Sequence, residues 1–246
     1  MIGCTVQDMG EVAVFDPTFD FRTDAGGGDP DATSPTLRAY HKLLWSKPLP
    51  GGDLFELNDT EPGAYLYHQS KRGKFFLASD SAMPTFRKYQ RMVHIISLVP
   101  ESERAEFGTI TYQMGGMLLF PGNRIDGKQT INGARGFNRK IADRLDLTVE
   151  CIRLHFLGET NPMAETLDRY GAFFALFEDF DGYVDFFLLQ DLLDEDRSAV
   201  KFFVPFDDFG TPPLPASVEA YQDYRKNAIR FVEARNRRMS EFAAGR

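Results

Sequence analysis

Thr109-Ile110-Thr111-Tyr112-Gln113-Met114, then Gly115-Gly116, then Met117-Leu118-Leu119-Phe120 is the stretch on which the fold class turns. β-branched and aromatic residues flank two glycines, and a two-glycine loop suits a tight hairpin whose central residues need positive φ. The stretch therefore predicts two antiparallel strands, with Pro121-Gly122-Asn123 ending the second. Upstream, Ala64-Tyr65-Leu66-Tyr67 and Lys74-Phe75-Phe76-Leu77 read as a second hairpin around Ser70-Lys71-Arg72-Gly73. Downstream, Asp126-Gly127 reads as a turn between the short segments Arg124-Ile125 and Lys128 to Ile131.

Helical signals lie on either side of this β-rich middle. Ser34-Pro35 caps a helix through Leu37, Tyr40, Leu43 and Leu44, and Pro84 is expected to open another through Phe86, Tyr89, Val93 and Ile96. After Asn132, read as a cap, helical spacing dominates. Asp146 is expected to cap a helix over 147–157, a further helix is expected from Tyr183 to Leu193, and Val200 to Val204 reads as a late strand or extended segment. Ser217 caps a last helix with the stripe Tyr221, Tyr224, Ala228, Phe231, Val232, Arg235 and Met239. Strands then helices, without βαβ alternation, predict an α+β fold: a central antiparallel or mixed sheet packed against a mostly helical C-terminal half. The expected organisation is one domain over residues 1–246, with an irregular N-terminal segment over 1–34 that includes the loop Asp24-Ala25-Gly26-Gly27-Gly28-Asp29-Pro30-Asp31 and a short strand at 12–15.

The composition excludes several classes. With 23 Phe, 9 Tyr and 1 Trp in 246 residues, the chain carries a payload that must be buried, so general disorder is excluded. Two cysteines, Cys4 and Cys151, cannot make a disulfide scaffold. The N-terminus has no basic segment leading into an apolar run, and no stretch approaches a membrane span, so a cytoplasmic protein without a membrane role is expected. His41, His68, His94 and His155 lie far apart and show no metal-ligand spacing; no metal and no cofactor is expected. Asp179-Phe180-Asp181-Gly182 fails the register of a calcium loop. The net charge of −8 hides an asymmetry: residues 178–196 hold eight acids and no base, whereas residues 225–246 hold seven bases against two acids. Those two segments are candidates to meet, with Arg225, Arg230 and Arg237 expected on the exposed side of the last helix.

The densest polar chemistry runs from Gly122 to Lys140. Its candidate ligand residues are Arg124, Asp126, Lys128, Asn132, Arg135 and Arg139, among glycines that let backbone approach a ligand. Arg135 and Arg139, four apart, are expected to reach from one helix face toward one anion. Asp126, Asp143 and Asp146 offer the competing arrangement, in which the arginines pin loops internally. His68 with Asp80, Asp143, and His155 beside Cys151 are weaker candidates. Three roles follow as expectations: binding of an anionic small molecule or nucleic acid, phosphoester hydrolysis or nuclease action, and a structural or protein-interaction role. Oligomeric state is left open.

Leu119-Phe120-Pro121-Gly122-Asn123-Arg124-Ile125-Asp126-Gly127, with Thr130-Ile131-Asn132, Ala134-Arg135-Gly136 and Asp143-Arg144-Leu145-Asp146-Leu147-Thr148, resembles a family of bacterial proteins of unknown function. The resemblance covers most of the chain and implies a bacterial origin, with no activity, ligand or catalytic residue attached to it.

Overall fold

The computed structural model describes residues 15–60 and 66–245. Cys4, residues 12–14 of the strand expected over 12–15, and Ala64-Tyr65 at the start of the upstream hairpin lie outside the described residues. The elements in chain order are α1 (Pro30–Thr33), α2 (Pro35–Trp45), β1 (Lys47–Pro48), β2 (Leu54–Phe55), β3 (Leu66–Ser70), β4 (Gly73–Ser81), α3 (Val93–Ser97), α4 (Glu101–Ile110), β5 (Met117–Pro121), α5 (Ile131–Phe137), α6 (Leu145–Phe156), α7 (Ala164–Arg169), α8 (Gly171–Phe174), α9 (Phe180–Phe186) and α10 (Val218–Ala244).

The upstream hairpin forms as the sequence predicts. β3 and β4 pair antiparallel from Leu66 opposite Leu77 to Ser70 opposite Gly73, around Lys71-Arg72. β4 then pairs antiparallel with β5, from Leu77 opposite Pro121 to Ser81 opposite Met117. The result is a three-stranded sheet in the order β3-β4-β5, with β1 and β2 as a separate ribbon. This antiparallel β structure packs against the helical C-terminal half, so the fold is α+β.

The glycine pair does not make the predicted hairpin. Thr109 and Ile110 finish α4, and Met114–Gly116 form a single 3-10 turn leading into β5. Neither glycine adopts positive φ. The reason for glycine is crowding. A Cβ on Gly115 would sit 2.4 Å from the Val232 carbonyl oxygen of α10, and one on Gly116 would sit 2.7 Å from the Thr111 carbonyl oxygen. Local β propensity was overridden by a tertiary approach that the sequence pattern does not encode.

Several helix boundaries also move. Thr130, not Asn132, caps α5, its hydroxyl accepting from the Gly133 N–H at 3.2 Å. Lys128 to Ile131 is not a strand, although Asp126 and Gly127 do turn with positive φ. Arg144 is the cap residue of α6, while Asp146 lies inside its first turn. Residues 84–89 are not helical because Phe86 takes φ 59°. The helix expected over 183–193 ends at Phe186, and Leu188 turns back with φ 53°. Val200 makes only an isolated bridge to Leu193.

α10 behaves as its stripe predicts. Ser217 caps it, and Tyr221, Tyr224, Ala228, Phe231, Val232, Arg235 and Met239 are all buried. Arg225, expected to be exposed, is buried; it donates to Glu103 Oε2 and to the Glu103 carbonyl, both at 2.7 Å. The acidic and basic segments do meet within the chain, where Arg238 clamps Asp191 through bonds of 2.9 and 3.0 Å. Arg235 is wholly buried and donates only to backbone: Gly115 O at 3.0 Å, Met117 O at 2.8 Å and Phe187 O at 2.8 Å. It thereby supplies partners to carbonyls at the start of β5 and ties the last helix to the edge of the sheet.

Candidate functional site

The candidate residues disperse in an instructive way. Arg124, Asp126 and Lys128 lie on an exposed loop, where Lys128 pairs with Glu165 at 2.5 Å. Asn132 is half-buried, and its Oδ1 has no hydrogen-bond partner among the described residues. Arg135 and Arg139 do not share a ligand-facing surface, because α5 ends at Phe137 and Arg139 has left the helix. Arg135 turns inward and is completely buried. It donates to Asp80 Oδ2 at 2.5 Å, to the Thr148 hydroxyl at 3.1 Å and to the Asp143 carbonyl at 3.0 Å. Its planar fork thus pins β4, α6 and the loop between α5 and α6 together.

The histidine candidates separate too. His68 pairs across the hairpin with Phe75, five residues before Asp80 on β4. At a rise of about 3.3 Å per residue that places them some 17 Å apart along the strand, so no His68–Asp80 pair exists. His68 is stacked on Phe55 and held by the Glu56 carbonyl 3.2 Å from Nδ1, and burial lowers its pKa. His155 faces Asp168 at 3.2 Å, while burial pushes the Cys151 thiol far up. Cys151 is therefore inert core, not a thiolate nucleophile.

Two weaker candidates, Asp80 and Asp143, instead converge with Arg135 and with a residue the sequence did not single out. Asp31, from the glycine-rich lead-in, sits on α1 against β4. Asp31, Asp80 and Asp143, together with Lys88, which pairs with Asp143 at 2.6 Å, line a pocket of about 350 Å³, and Arg135 holds Asp80 from behind it. Burial pushes the Asp31 carboxyl up to about 7, with the Asp80 and Asp29 charges adding to the shift; Ser81 N–H and the Ser79 side chain pull the other way. Burial likewise pushes Asp80 up to about 6 against the pull of Arg135. Asp31 Oδ1 is buried without a hydrogen-bond partner. Phe86 and Asp143, both in this lining, hold positive φ, and backbone strain of this kind concentrates at functional sites.

Behind this pocket, Trp45 Nε1–H donates to His41 Nδ1 at 3.0 Å, and His41 Nε2 lies 2.9 Å from Ser79 Oγ. Because Nδ1 accepts, the proton of the neutral ring is on Nε2 and points at the serine. Burial holds His41 down at about 3, which keeps the ring neutral. His41 therefore cannot take a proton from Ser79, and the Ser–His contact is not a nucleophile–base pair.

A second, larger cleft adjoins the first across the Lys88–Tyr89 and Ala142–Asp143 steps. It encloses about 670 Å³ and carries Arg91, Arg139 and Lys140 with Tyr89 and Phe209, and no acid is in its lining. None of the three cations has an ion-pair partner among the described residues. Arg139 was legible in the sequence; Arg91 and Phe209 were not, because they come from segments dozens of residues away that carry no motif.

Asp31 gives a stability test. Its proton is held more tightly in the native state than in the unfolded chain, where a carboxyl titrates near 4. Native stability is therefore lost as pH rises from about 4 to about 7, and the penalty is complete above that. Asp31→Asn, which cannot ionise, should exceed the parent by roughly 1–3 kcal/mol at pH 8 and show no gain at pH 4. His41 contributes in the opposite direction below pH 6.5, but equally in both proteins. Urea denaturation at the two pH values measures the difference; an equal gain at both would remove the ionisation argument.

Among the described residues, no three His, Cys, Asp or Glu side chains converge in a way that could hold a metal ion, and no helix is long and apolar enough to cross a membrane. No curated protein and no solved structure matches the chain. A family model does match, over residues 15–239, and that span takes in the sheet, both pockets and nearly all of α10. By that match the chain belongs to DUF6994, a family of unknown function.

Proposed function

We propose that the protein binds a small phosphate-bearing anion in the cleft between Tyr89–Arg91, Arg139–Lys140 and the 209–213 loop. One observation carries this reading: three cations without acidic partners face one cavity, Arg91, Arg139 and Lys140. Other arginines, Arg135, Arg144, Arg225 and Arg238 among them, are spent on carboxylates or carbonyls. Unpaired guanidinium groups in a concave site suit bidentate recognition of phosphate. Titration of pyrophosphate into the purified protein tests this. Arg91→Ser with Arg139→Ser should weaken binding about tenfold or more, since each charge-assisted bond contributes roughly 1.5–3 kcal/mol. The affinity should also fall with added salt. Lys128→Ser, on the loop outside the cleft, should change nothing. Unaltered affinity in the arginine double variant would remove the site.

A second reading, phosphoester hydrolysis, is favoured by the carboxyl next door. Asp31, with a pKa of about 7, remains partly protonated at neutral pH. Such a group protonates a leaving-group oxygen as the P–O bond breaks, while water attacks phosphorus and releases its own proton to solvent. In this reading Asp31→Asn abolishes turnover of an alkyl phosphate such as glycerol phosphate, whose alkoxide leaving group needs the proton, and leaves pyrophosphate affinity within a factor of two. Absence of turnover in the parent protein leaves binding alone as the role.

A further inference from the structure

We propose that the ligand of the basic cleft is a nucleoside phosphate, its phosphates on Arg91, Arg139 and Lys140 and its base against Tyr89 and Phe209. This rests on the anion-binding reading and names the chemistry attached to the anion. A bare phosphate needs only the cations. The cleft supplies more: two half-buried aromatic rings and a volume of about 670 Å³, within the range that encloses drug-sized ligands. Tyr89 is steadied by Phe86 at 6.1 Å and Phe209 by Phe206 at 5.1 Å, both tilted toward edge-to-face packing. Each ring is therefore pre-positioned by a neighbour while still lining the cavity. Gln90, exposed beside Tyr89, offers both a donor and an acceptor to the edge of a base. Aromatic rings interleaved with cations are the pairing that recognises a heterocycle carrying phosphate, because every base has a π face and every phosphate accepts guanidinium donors. The absence of acids from the lining removes the repulsion a di- or triphosphate would otherwise meet.

The experiment compares adenosine 5′-diphosphate, pyrophosphate and ribose 5-phosphate on the full-length protein by calorimetric titration. Base stacking on an aromatic side chain is worth about 5- to 150-fold in affinity. Adenosine diphosphate should therefore bind at least fivefold tighter than either of the others. Phe209→Leu and Tyr89→Leu should each erase most of that advantage while leaving the pyrophosphate affinity intact. Phe209 lies in a loop, so its variant keeps the test valid even where Tyr89→Leu disturbs folding. Three equal affinities that all fall with Arg91→Ser/Arg139→Ser would overturn the nucleoside inference and leave the anion site standing. No binding by any of the three would overturn both. An adenosine diphosphate advantage that survives both aromatic variants would also overturn the inference, because the base would then be held elsewhere.

Discussion

Gly115→Ala should cost the protein about 3–5 kcal/mol of stability, enough to bring it close to unfolding at ordinary temperature. The added methyl carbon would stand 2.4 Å from the Val232 carbonyl oxygen and 2.8 Å from Asn236 Oδ1. The first obstacle is backbone inside α10, so no rotamer change relieves it. The second is the atom that accepts the Gly115 N–H at 2.7 Å, so displacing it also orphans a buried donor. Overpacking costs roughly 1–3 kcal/mol, and leaving the buried N–H without its acceptor adds about 1–3 more, so the upper half of that range is expected where the obstacle is backbone. Moving α10 outward does not help, because Arg235 on the same helix is bound to Gly115 O and Met117 O. Gly171→Ala is the control: a Cβ there meets nothing within 4 Å, and the position begins a helix. That variant should match or slightly exceed the parent. Urea denaturation of the three proteins measures the effect, and a Gly115→Ala midpoint close to that of the control would show that α10 does not hold this register.

The same glycines mark how far the sequence could be read. Periodicity located β3–β4 and α10 because both signals are local: a short turn between apolar segments, and a stripe at steps of three and four. It misread 109–116 because the demand for glycine at 115 comes from α10, more than a hundred residues later, while that at 116 comes from the Thr111 carbonyl of the turn that replaces the hairpin. The sequence offered two fates for the arginines of 122–140, internal pinning or ligand binding, and in the structure Arg135 and Arg139 part company. Arg135 is pinned; Arg139, freed by the early end of α5, faces a cleft. Asp31 was hidden inside a run of glycine, proline and aspartate that reads as a loop, and only packing of α1 on β4 gives it a low-dielectric surrounding. A cleft assembled from segments 89–91, 139–142 and 209–213 has no sequence signature, because its residue types are ordinary and only their convergence is unusual.

Asp146→Ala should destabilise by about 3–5 kcal/mol, the cost expected when one member of a buried ion pair is removed. Asp146 and Arg144 are both essentially inaccessible to solvent. Nε of Arg144 donates to Asp146 Oδ1 at 3.0 Å, and Nη2 makes a second bond to Oδ2. The same Oδ2 accepts the Phe203 N–H at 2.8 Å, and Arg144 Nη1 reaches the Pro213 carbonyl at 2.9 Å. The pair therefore fastens both ends of the 203–213 segment, which carries Phe209 into the basic cleft. Losing the carboxylate leaves a buried guanidinium without its counter-charge and frees that segment together. Stability and pyrophosphate affinity should fall in the same variant, whereas Asp31→Asn should not lower both. Replacing the pair with Arg144→Met and Asp146→Leu removes both charges at once. Apolar replacement of a buried pair is often neutral, so the double variant should be at least about 2 kcal/mol more stable than the summed losses of Arg144→Met and Asp146→Leu made singly predict. Additive losses, or a single-variant cost below about 1 kcal/mol, would mean that the two side chains do not act as one unit and that the 203–213 segment is held by its aromatic contacts instead.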